Sequence, residues 1–104
     1  YQQLQVLRRM VRDLNIRTTI CSADTIREPD GLAMSSRNQY LDEKSRAIAP
    51  MLYNTLNRVA HMTLQPKSDL EHALEVGRVQ LLQAGFTKVD YLELRDSETL
   101  RPVH

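Results

Sequence analysis

Two adjacent hydroxyls and a guanidinium follow a turn signal in this chain. Residues 29–31 read Pro-Asp-Gly, and after a short apolar step come Ser35, Ser36 and Arg37. Neighbouring hydroxyls with their backbone N–H groups can supply several convergent hydrogen-bond donors. Arginine adds a planar, permanently charged fork that suits phosphate oxygens. This run of residues therefore indicates a polyphosphate site, although an ordinary solvated loop before a helix has the same residue types.

Other residues that could do chemistry form weaker patterns. Arg8, Arg9 and Arg12 make a basic stripe on a predicted helix, but no aromatic side chains accompany them for base stacking, so we interpret the stripe as a solvated face. The histidines at positions 61, 72 and 104 lack ligand spacing, and we predict no metal site on the protein. The single cysteine, Cys21, excludes an internal disulfide and is expected to be a small buried apolar residue.

The composition is that of an ordinary globular domain. The chain has 104 residues, of which 41% are hydrophobic and 26% are charged, with a formal net charge of +1. This length allows one domain with a modest core. So small a net charge provides no global field for nucleic acid or an anionic membrane, and no apolar stretch is long enough to cross a bilayer. We expect a cytoplasmic protein that binds neither nucleic acid nor membrane.

Ser35, Ser36 and Arg37 are called the serine–arginine run below. The elements that must position this run begin with a helix and an extended segment. Apolar spacing predicts an amphipathic helix over residues 2–14, broken by Asn15. The β-branched run at residues 17–22 predicts a strand. A helix followed closely by a strand is typical of the end of a βαβ unit, so the local pattern favours an α/β protein.

Two further helices and a strand are predicted after the run. Asp42 is the expected N-cap of the second helix, with a kink or break near Ala49 because Pro50 follows. Ser68 and Glu71 read as the capping box of the third helix, and Gly85 reads as its stop. Residues 87–95 alternate like a strand. The predicted buried faces consist of Ile48, Met51, Leu52, Leu56, Val59 and Ala60 on the second helix, and Leu70, Ala73, Leu74, Leu81 and Leu82 on the third.

Three blocks of sequence carry a resemblance to a known family. The blocks YQQLQVLRRMVRDLNI, IREPDGLAMSSRNQYL and VDYLELRD follow one another across nearly the whole chain, and in order and separation they resemble the pantoate–beta-alanine ligase family. The resemblance implies an α/β fold, α+β within this chain. Residues 1–26 would end a Rossmann-type nucleotidyltransferase domain, and residues 27–104 would form a small helical C-terminal domain with a short antiparallel sheet.

The resemblance also implies an activity. Members of this family use ATP, with Mg²⁺ bound through it, to convert pantoate into pantoyl adenylate and pyrophosphate; beta-alanine then displaces AMP to give pantothenate. The complete enzyme would be a homodimer. The chain begins at Tyr1 without a methionine and ends directly after a predicted strand. We therefore expect a piece of a longer enzyme that is inactive alone.

Residue by residue, the resemblance assigns Gln3 to pantoate. It assigns residues 34–37, which are Met34, Ser35, Ser36 and Arg37, to the family's counterpart of the synthetase KMSKS loop. There the methionine backbone helps to hold the adenine of ATP, while the serines and the arginine hold phosphates and act in catalysis. The backbone of Ile26 would also meet adenine. No protein ligand to a metal is implied.

Two alternatives remain open from the sequence. Another adenylate-forming or nucleotidyl-transferring enzyme would keep Ser35, Ser36 and Arg37 without needing Gln3 to meet a hydroxy acid. A non-enzymatic interaction module would use the Arg8, Arg9 and Arg12 face and would be indifferent to changes in Arg37.

Overall fold

The structure, a computed structural model, describes residues 1–104 and is built from helices. The α-helices are α1 (Gln2–Asp13), α2 (Glu43–Ile48), α3 (Met51–Thr63) and α4 (Leu70–Ala84), and a 3-10 helix (Ser36–Tyr40) precedes α2. Extended pairing is limited to two isolated antiparallel bridges, Arg27 with Ala33 and Arg95 with Pro102. None of the helices combines the length and the apolar character that crossing a bilayer requires.

Helix α1 is the predicted first helix, and it ends where Asn15 adopts a left-handed φ of 51°. None of its residues is buried. On its basic face, Arg9 and Arg12 approach Asp13 at 2.6 and 3.5 Å. The hydrogen bond from Arg9 holds the pKa of Asp13 below its ordinary value. Two of the three arginines of the stripe are thus engaged on their own helix, as expected of a solvated face.

Local signals set the start of α2 and the break before α3. The Asp42 carboxylate accepts the Ser45 N–H at 2.7 Å, which confirms the predicted N-cap. The predicted break is also confirmed, because α2 ends at Ile48 and α3 begins at Met51. Pro50 between them has no N–H to continue the hydrogen-bond ladder, and it is buried.

The predicted capping box of α4 is wrong, although its predicted end is confirmed. Asp69 caps the helix by accepting the His72 N–H at 3.0 Å, while the Ser68 hydroxyl donates to the carbonyl of Thr63 at 2.9 Å. Asp69 is one residue closer to the helix and carries the stronger acceptor, so it takes the cap that Ser68 was expected to form. Gly85, with φ 118°, ends α4.

The core lies between α3 and α4. Its buried side chains are Thr55, Val59, Ala73, Leu81 and Leu92. Gly77 lies in the same contact, where an added Cβ would stand 2.5 Å from Val59 Cγ2 and 2.8 Å from Leu92 Cδ2. The absence of a side chain at Gly77 therefore lets the two helices approach closely.

Part of each predicted buried face is wrong. Leu52 and Leu56 of α3 are 46% and 43% exposed, and Leu82 of α4 is 46% exposed. Ala60 of α3 is exposed as well. Val59, Ala73 and Leu81 are buried as predicted, and Thr55, which was not predicted, is buried with them. The close approach at Gly77 puts Thr55 and Val59 on the face that α3 buries, and Leu52 and Leu56 lie on its exposed face.

Neither predicted strand is present. Residues 17–22 lie in no helix and no strand, and no neighbouring segment of the chain bonds to their backbone, as a strand requires. Cys21 is accordingly exposed rather than buried in a sheet. In residues 87–95, Leu92 lies in the core, and the only β pairing of the segment is the isolated bridge of Arg95 with Pro102. The short antiparallel sheet is thus not confirmed.

The Gly77 contact can be tested by substitution. Gly77→Ala is expected to lower the free energy of unfolding by about 1–3 kcal/mol, the usual cost of overpacking, because the new methyl group meets Val59 and Leu92. The better helix propensity of alanine offsets at most about 1 kcal/mol of that loss. Adding Val59→Ala removes the clashing Cγ2, so the double variant should lose less than the sum of the single ones. Strict additivity in denaturant titrations would contradict the close approach.

The cap of α2 gives a prediction about pH. Hydrogen bonds from the Ser45 hydroxyl and N–H hold the pKa of Asp42 below its ordinary value. The stabilisation that Asp42 provides is therefore fully present above its unfolded-state pKa of about 3.9 and is lost as the pH falls through the lower folded-state pKa. Asp42→Asn keeps a capping oxygen but cannot titrate, so it should flatten the acid side of a plot of melting temperature against pH. Asp24→Asn, at an exposed position outside any helix, is the control, and an equal flattening there would contradict the assignment.

Candidate functional site

The segment before the serines forms a closed hairpin, which we call the 26–34 hairpin. Its ends meet where the Met34 N–H donates to the Ile26 carbonyl at 2.9 Å, and its arms meet where the Glu28 N–H donates to the Leu32 carbonyl at 2.7 Å. The Gly31 N–H closes the tip by donating to the Glu28 carbonyl at 2.9 Å. These bonds give the loop a fixed shape without a sheet.

The Pro-Asp-Gly sequence explains the tip of the hairpin. The Asp30 carboxylate accepts the Leu32 N–H at 3.2 Å, a local turn bond that this residue type favours. Gly31 has a φ of 97°, a conformation that side chains disfavour. A Cβ at Gly31 would also stand 2.9 Å from Tyr53 Cδ1 on α3. Glycine is required there by the backbone and by the neighbouring ring.

The serine–arginine run follows the hairpin directly and forms the cap and first residues of the 3-10 helix. Ser35 is extended and caps that helix, its hydroxyl oxygen accepting the Arg37 N–H at 3.2 Å. The Asn38 side-chain amide donates back to the Ala33 carbonyl at 3.0 Å. The run is therefore held from both ends, which limits its backbone freedom before any ligand arrives.

The polar groups of the run are available to a ligand. Ser35, Ser36 and Arg37 are exposed. No carbonyl of the chain accepts the backbone N–H of Ser35 or Ser36, and Arg37 takes part in none of the ion pairs of the chain. Free N–H groups, hydroxyls and a guanidinium on consecutive residues form a donor set suited to phosphate oxygens.

The acidic group at the tip of the hairpin is already paired. The Asp30 carboxylate lies 2.6 Å from the Arg46 guanidinium on α2. The hydrogen bond from Arg46 lowers the pKa of Asp30, and the same bond raises the pKa of Arg46. Asp30 therefore stays ionised and compensated, while the positive charge of Arg37 remains free for an anion.

The structure brings together the residues assigned to ATP but does not join them to Gln3. Ile26 and Met34 face each other at the base of the hairpin and are 70% and 53% exposed, next to the serine–arginine run. Gln3 is exposed on α1, and no hydrogen bond connects it with the hairpin. The assignment of Gln3 stays a prediction.

Sequence reasoning missed the residues that support the hairpin. The Arg27 guanidinium lies 3.6 Å from the centre of the Tyr53 ring, and it donates to the Gly31 carbonyl at 3.1 Å. Arg46 and Asn38 hold the hairpin and the run through the bonds described above. Gly31 was the one available signal, because a glycine after a Pro-Asp turn often marks a close approach. Its partner on α3 could not be read from the sequence.

Known proteins are similar to this chain in sequence and in fold. The model of the family described as Pantoate-beta-alanine ligase matches residues 1–104. The pantothenate synthetase of Pseudomonas entomophila is 50% identical over 102 residues, which are 98% of this chain and 35% of that protein. The pantothenate synthetase of Dinoroseobacter shibae is 49% identical over 102 residues, again 98% of this chain and 36% of that protein.

A solved structure of a protein with the same name as these relatives is also similar to this chain. The crystal structure of pantothenate synthetase from Thermus thermophilus matches with a TM-score of 0.86 and 42% sequence identity, covering 99% of this chain and 37% of that chain. This chain thus spans little more than a third of the length of the relatives it matches. Because the family match extends from Tyr1 to His104, the chain belongs to the pantoate–beta-alanine ligase family.

Proposed function

We propose that the whole protein is an ATP-dependent ligase that joins pantoate to beta-alanine through a pantoyl-adenylate intermediate. The observation that carries this proposal is the set of free donors at Ser35, Ser36 and Arg37, held where the 26–34 hairpin leads into the 3-10 helix. Membership of the family supports it, as do relatives named pantothenate synthetase. The run binds the phosphates of ATP, and the backbones of Ile26 and Met34 meet its adenine.

In the first half-reaction, a carboxylate oxygen of pantoate attacks the α-phosphorus of ATP. The bond from that phosphorus to the bridging oxygen breaks, and pyrophosphate leaves with the electron pair. Negative charge spreads over the phosphate oxygens as this happens. Preorganised N–H, O–H and guanidinium donors stabilise that charge better than water does. The run has this donor set, and we assign it the catalytic role in this step.

In the second half-reaction, the amine of beta-alanine attacks the acyl carbon of pantoyl adenylate. The amide bond forms, AMP leaves through its phosphate oxygen, and the amine loses a proton to solvent. The nucleophiles of both steps belong to the substrates, so no side chain of the chain has to act as one. The donors of the serine–arginine run fit this assignment of roles, because they bind and stabilise phosphate and do not attack the substrate.

Magnesium would enter this site on the nucleotide. No group of three or more His, Cys, Asp or Glu side chains in the chain could hold a metal ion. The residues present fit a metal carried by the phosphates of ATP, where it would neutralise part of their charge. What the chain itself contributes is the binding and orientation of those phosphates.

The proposal extends to the organisation of the protein. We infer that residues 1–26 end a Rossmann-type nucleotidyltransferase domain and that residues 27–104 belong to a C-terminal domain. Gln3 hydrogen-bonds pantoate, the assembly is a homodimer, and the compartment is the cytoplasm. Support for the boundary comes from the hairpin, which contacts α2 and α3 through Arg46 and Tyr53. A partner-binding role for the basic face of α1 has no support beyond composition, since Arg9 and Arg12 lie against Asp13.

Substitution of Arg37 tests the phosphate role in the whole protein. Arg37→Lys keeps the charge but loses the fork, and Arg37→Ala loses both, so activity should fall in the order wild type, lysine, alanine. The alanine variant should lose about 2–4 kcal/mol of transition-state stabilisation in pyrophosphate release. Amide formation from pre-made pantoyl adenylate should suffer less, because pyrophosphate has already left. Stopped-flow or coupled assays of the two half-reactions give the ratio.

The matched control for that series is Arg58→Ala. Arg58 is an exposed arginine on α3 that bonds to Gln80. Its removal should leave the ratio of the two half-reactions unchanged. If Arg37→Ala also leaves the ratio unchanged and only lowers the melting temperature, Arg37 braces the loop and does not hold phosphate.

Gln3 is tested against its neighbour Gln2. Both are exposed on α1 and have the same side chain, so Gln2→Ala is a matched control. Gln3→Ala should weaken pantoate binding by about 0.5–1.5 kcal/mol, the usual worth of a neutral hydrogen bond, and should leave ATP binding unchanged. Calorimetric titration of the whole protein with each ligand measures this. Equal losses for pantoate and ATP, or the same loss in Gln2→Ala, would remove Gln3 from the pantoate site.

A further inference from the structure

Tyr53 contacts the 26–34 hairpin from two sides. The Arg27 guanidinium covers the face of its ring at 3.6 Å from the centroid. The ring edge lies so close to Gly31 that a Cβ there would stand 2.9 Å from Tyr53 Cδ1. Arg27 also donates to the Gly31 carbonyl at 3.1 Å, so the two hairpin residues that contact the ring are bonded to each other. The half-buried ring of Tyr53 thus serves as the platform on which the tip and one arm of the hairpin rest.

A second anchor holds the hairpin to α2. The ion pair of Asp30 with Arg46 has a distance of 2.6 Å, with side chains 43% and 36% exposed. Tyr53 and Arg46 lie on different helices, so the hairpin is fixed at two separated points. Two such points prevent it from pivoting about either one.

The stretch on the other side of the hairpin has no comparable anchor. Residues 17–25 are exposed apart from the half-buried Ile20. The only backbone bond that one of them donates runs from the Thr18 N–H to the Ile16 carbonyl at 2.9 Å. Within this chain the hairpin is thus attached to the helices that follow it, and no backbone bond of residues 19–25 attaches it to α1.

The position of the hairpin determines the position of the serine–arginine run, because the two are consecutive and bonded. Met34 ends the hairpin with its N–H bonded to Ile26, and Ser35 is the next residue. The Asn38 amide bonds to Ala33 on the same arm. A displacement of the hairpin on Tyr53 would therefore displace the donors of Ser35, Ser36 and Arg37.

We propose that Tyr53 is a positioning residue for the adenylation step, which seats the 26–34 hairpin on α3 so that Ser35, Ser36 and Arg37 meet the phosphates of ATP in register. This inference rests on the proposed function. Tyr53 acts through Arg27 and Gly31 and touches no reacting atom. Displacements of about 1 Å at a reacting centre can cost on the order of a hundredfold in rate, so the loss of one of two anchors should be measurable.

The test compares Tyr53→Leu with Tyr53→Phe in the whole protein. Leucine removes the aromatic face, while phenylalanine keeps the face and the packing against Gly31. Tyr53→Leu is expected to slow pantoate-dependent pyrophosphate release about tenfold, as the loss of a partly desolvated cation–π contact implies. Tyr53→Phe should stay within about twofold of wild type in that assay. Amide formation from pre-made pantoyl adenylate should stay within about twofold in both variants, because the triphosphate no longer has to be aligned.

Tyr91→Leu is the matched control, since this tyrosine is 75% exposed, and it should match wild type in both half-reactions. Hydrogen exchange adds a readout independent of activity: the amides of Glu28, Gly31 and Met34, which bond within the hairpin, should exchange faster in Tyr53→Leu and not in Tyr53→Phe. If Tyr53→Leu does not fold, Arg27→Met carries the same expectation, because it removes the cation and keeps the stem.

The outcomes separate this inference from the proposed function. Wild type without pantoate-dependent pyrophosphate release would overturn the proposed function itself, and an Arg37→Ala variant with full release would overturn the phosphate role of Arg37. If Arg37→Ala impairs release while Tyr53→Leu matches wild type, the positioning role alone is overturned. The same holds if Tyr53→Leu slows both half-reactions equally. A selective loss in pyrophosphate release that Tyr53→Phe restores supports it.

Discussion

The close approach of α3 and α4 at Gly77 is the constraint on which the rest of the structure depends. At that point the backbone of α4 lies against Val59 and Leu92, with no room for even a methyl group. The contact decides which face of α3 is buried, and Thr55 and Val59 lie on it. It also provides the surface on which Leu92, from the segment after α4, completes the core.

The orientation of α3 also decides where Tyr53, near the start of the helix, projects. Tyr53 lies two residues before Thr55 along α3 and therefore projects away from the α4 contact, since neighbouring positions two apart do not share a helix face. It meets Arg27 and Gly31 instead. Helix α3 thus packs against α4 with one face and supports the hairpin with another. The packing of the two helices therefore affects the position of the serine–arginine run.

Signals that act within a few residues were readable from the sequence. The Asp42 cap, the break at Pro50 and the stop at Gly85 follow from local backbone chemistry, and the run of donors at Ser35, Ser36 and Arg37 is contiguous. Features set by distant partners were not readable. The buried face of α3 depends on a glycine on α4, and the support of the hairpin depends on Tyr53 and Arg46. The segments 17–22 and 87–95 have the residue patterns of strands, but this chain provides no neighbouring strand with which they could pair.

The central claim is that the run binds the phosphates of ATP while the hairpin stays seated on Tyr53. The most direct measurement is a crystal structure of the whole protein with pantoate and a non-cleavable α,β-methylene analogue of ATP. The account predicts phosphate oxygens within about 3 Å of donors on Ser35, Ser36 and Arg37, with Arg27 still covering the Tyr53 ring. A bound nucleotide whose phosphates lie elsewhere, leaving Arg37 in solvent, would contradict it.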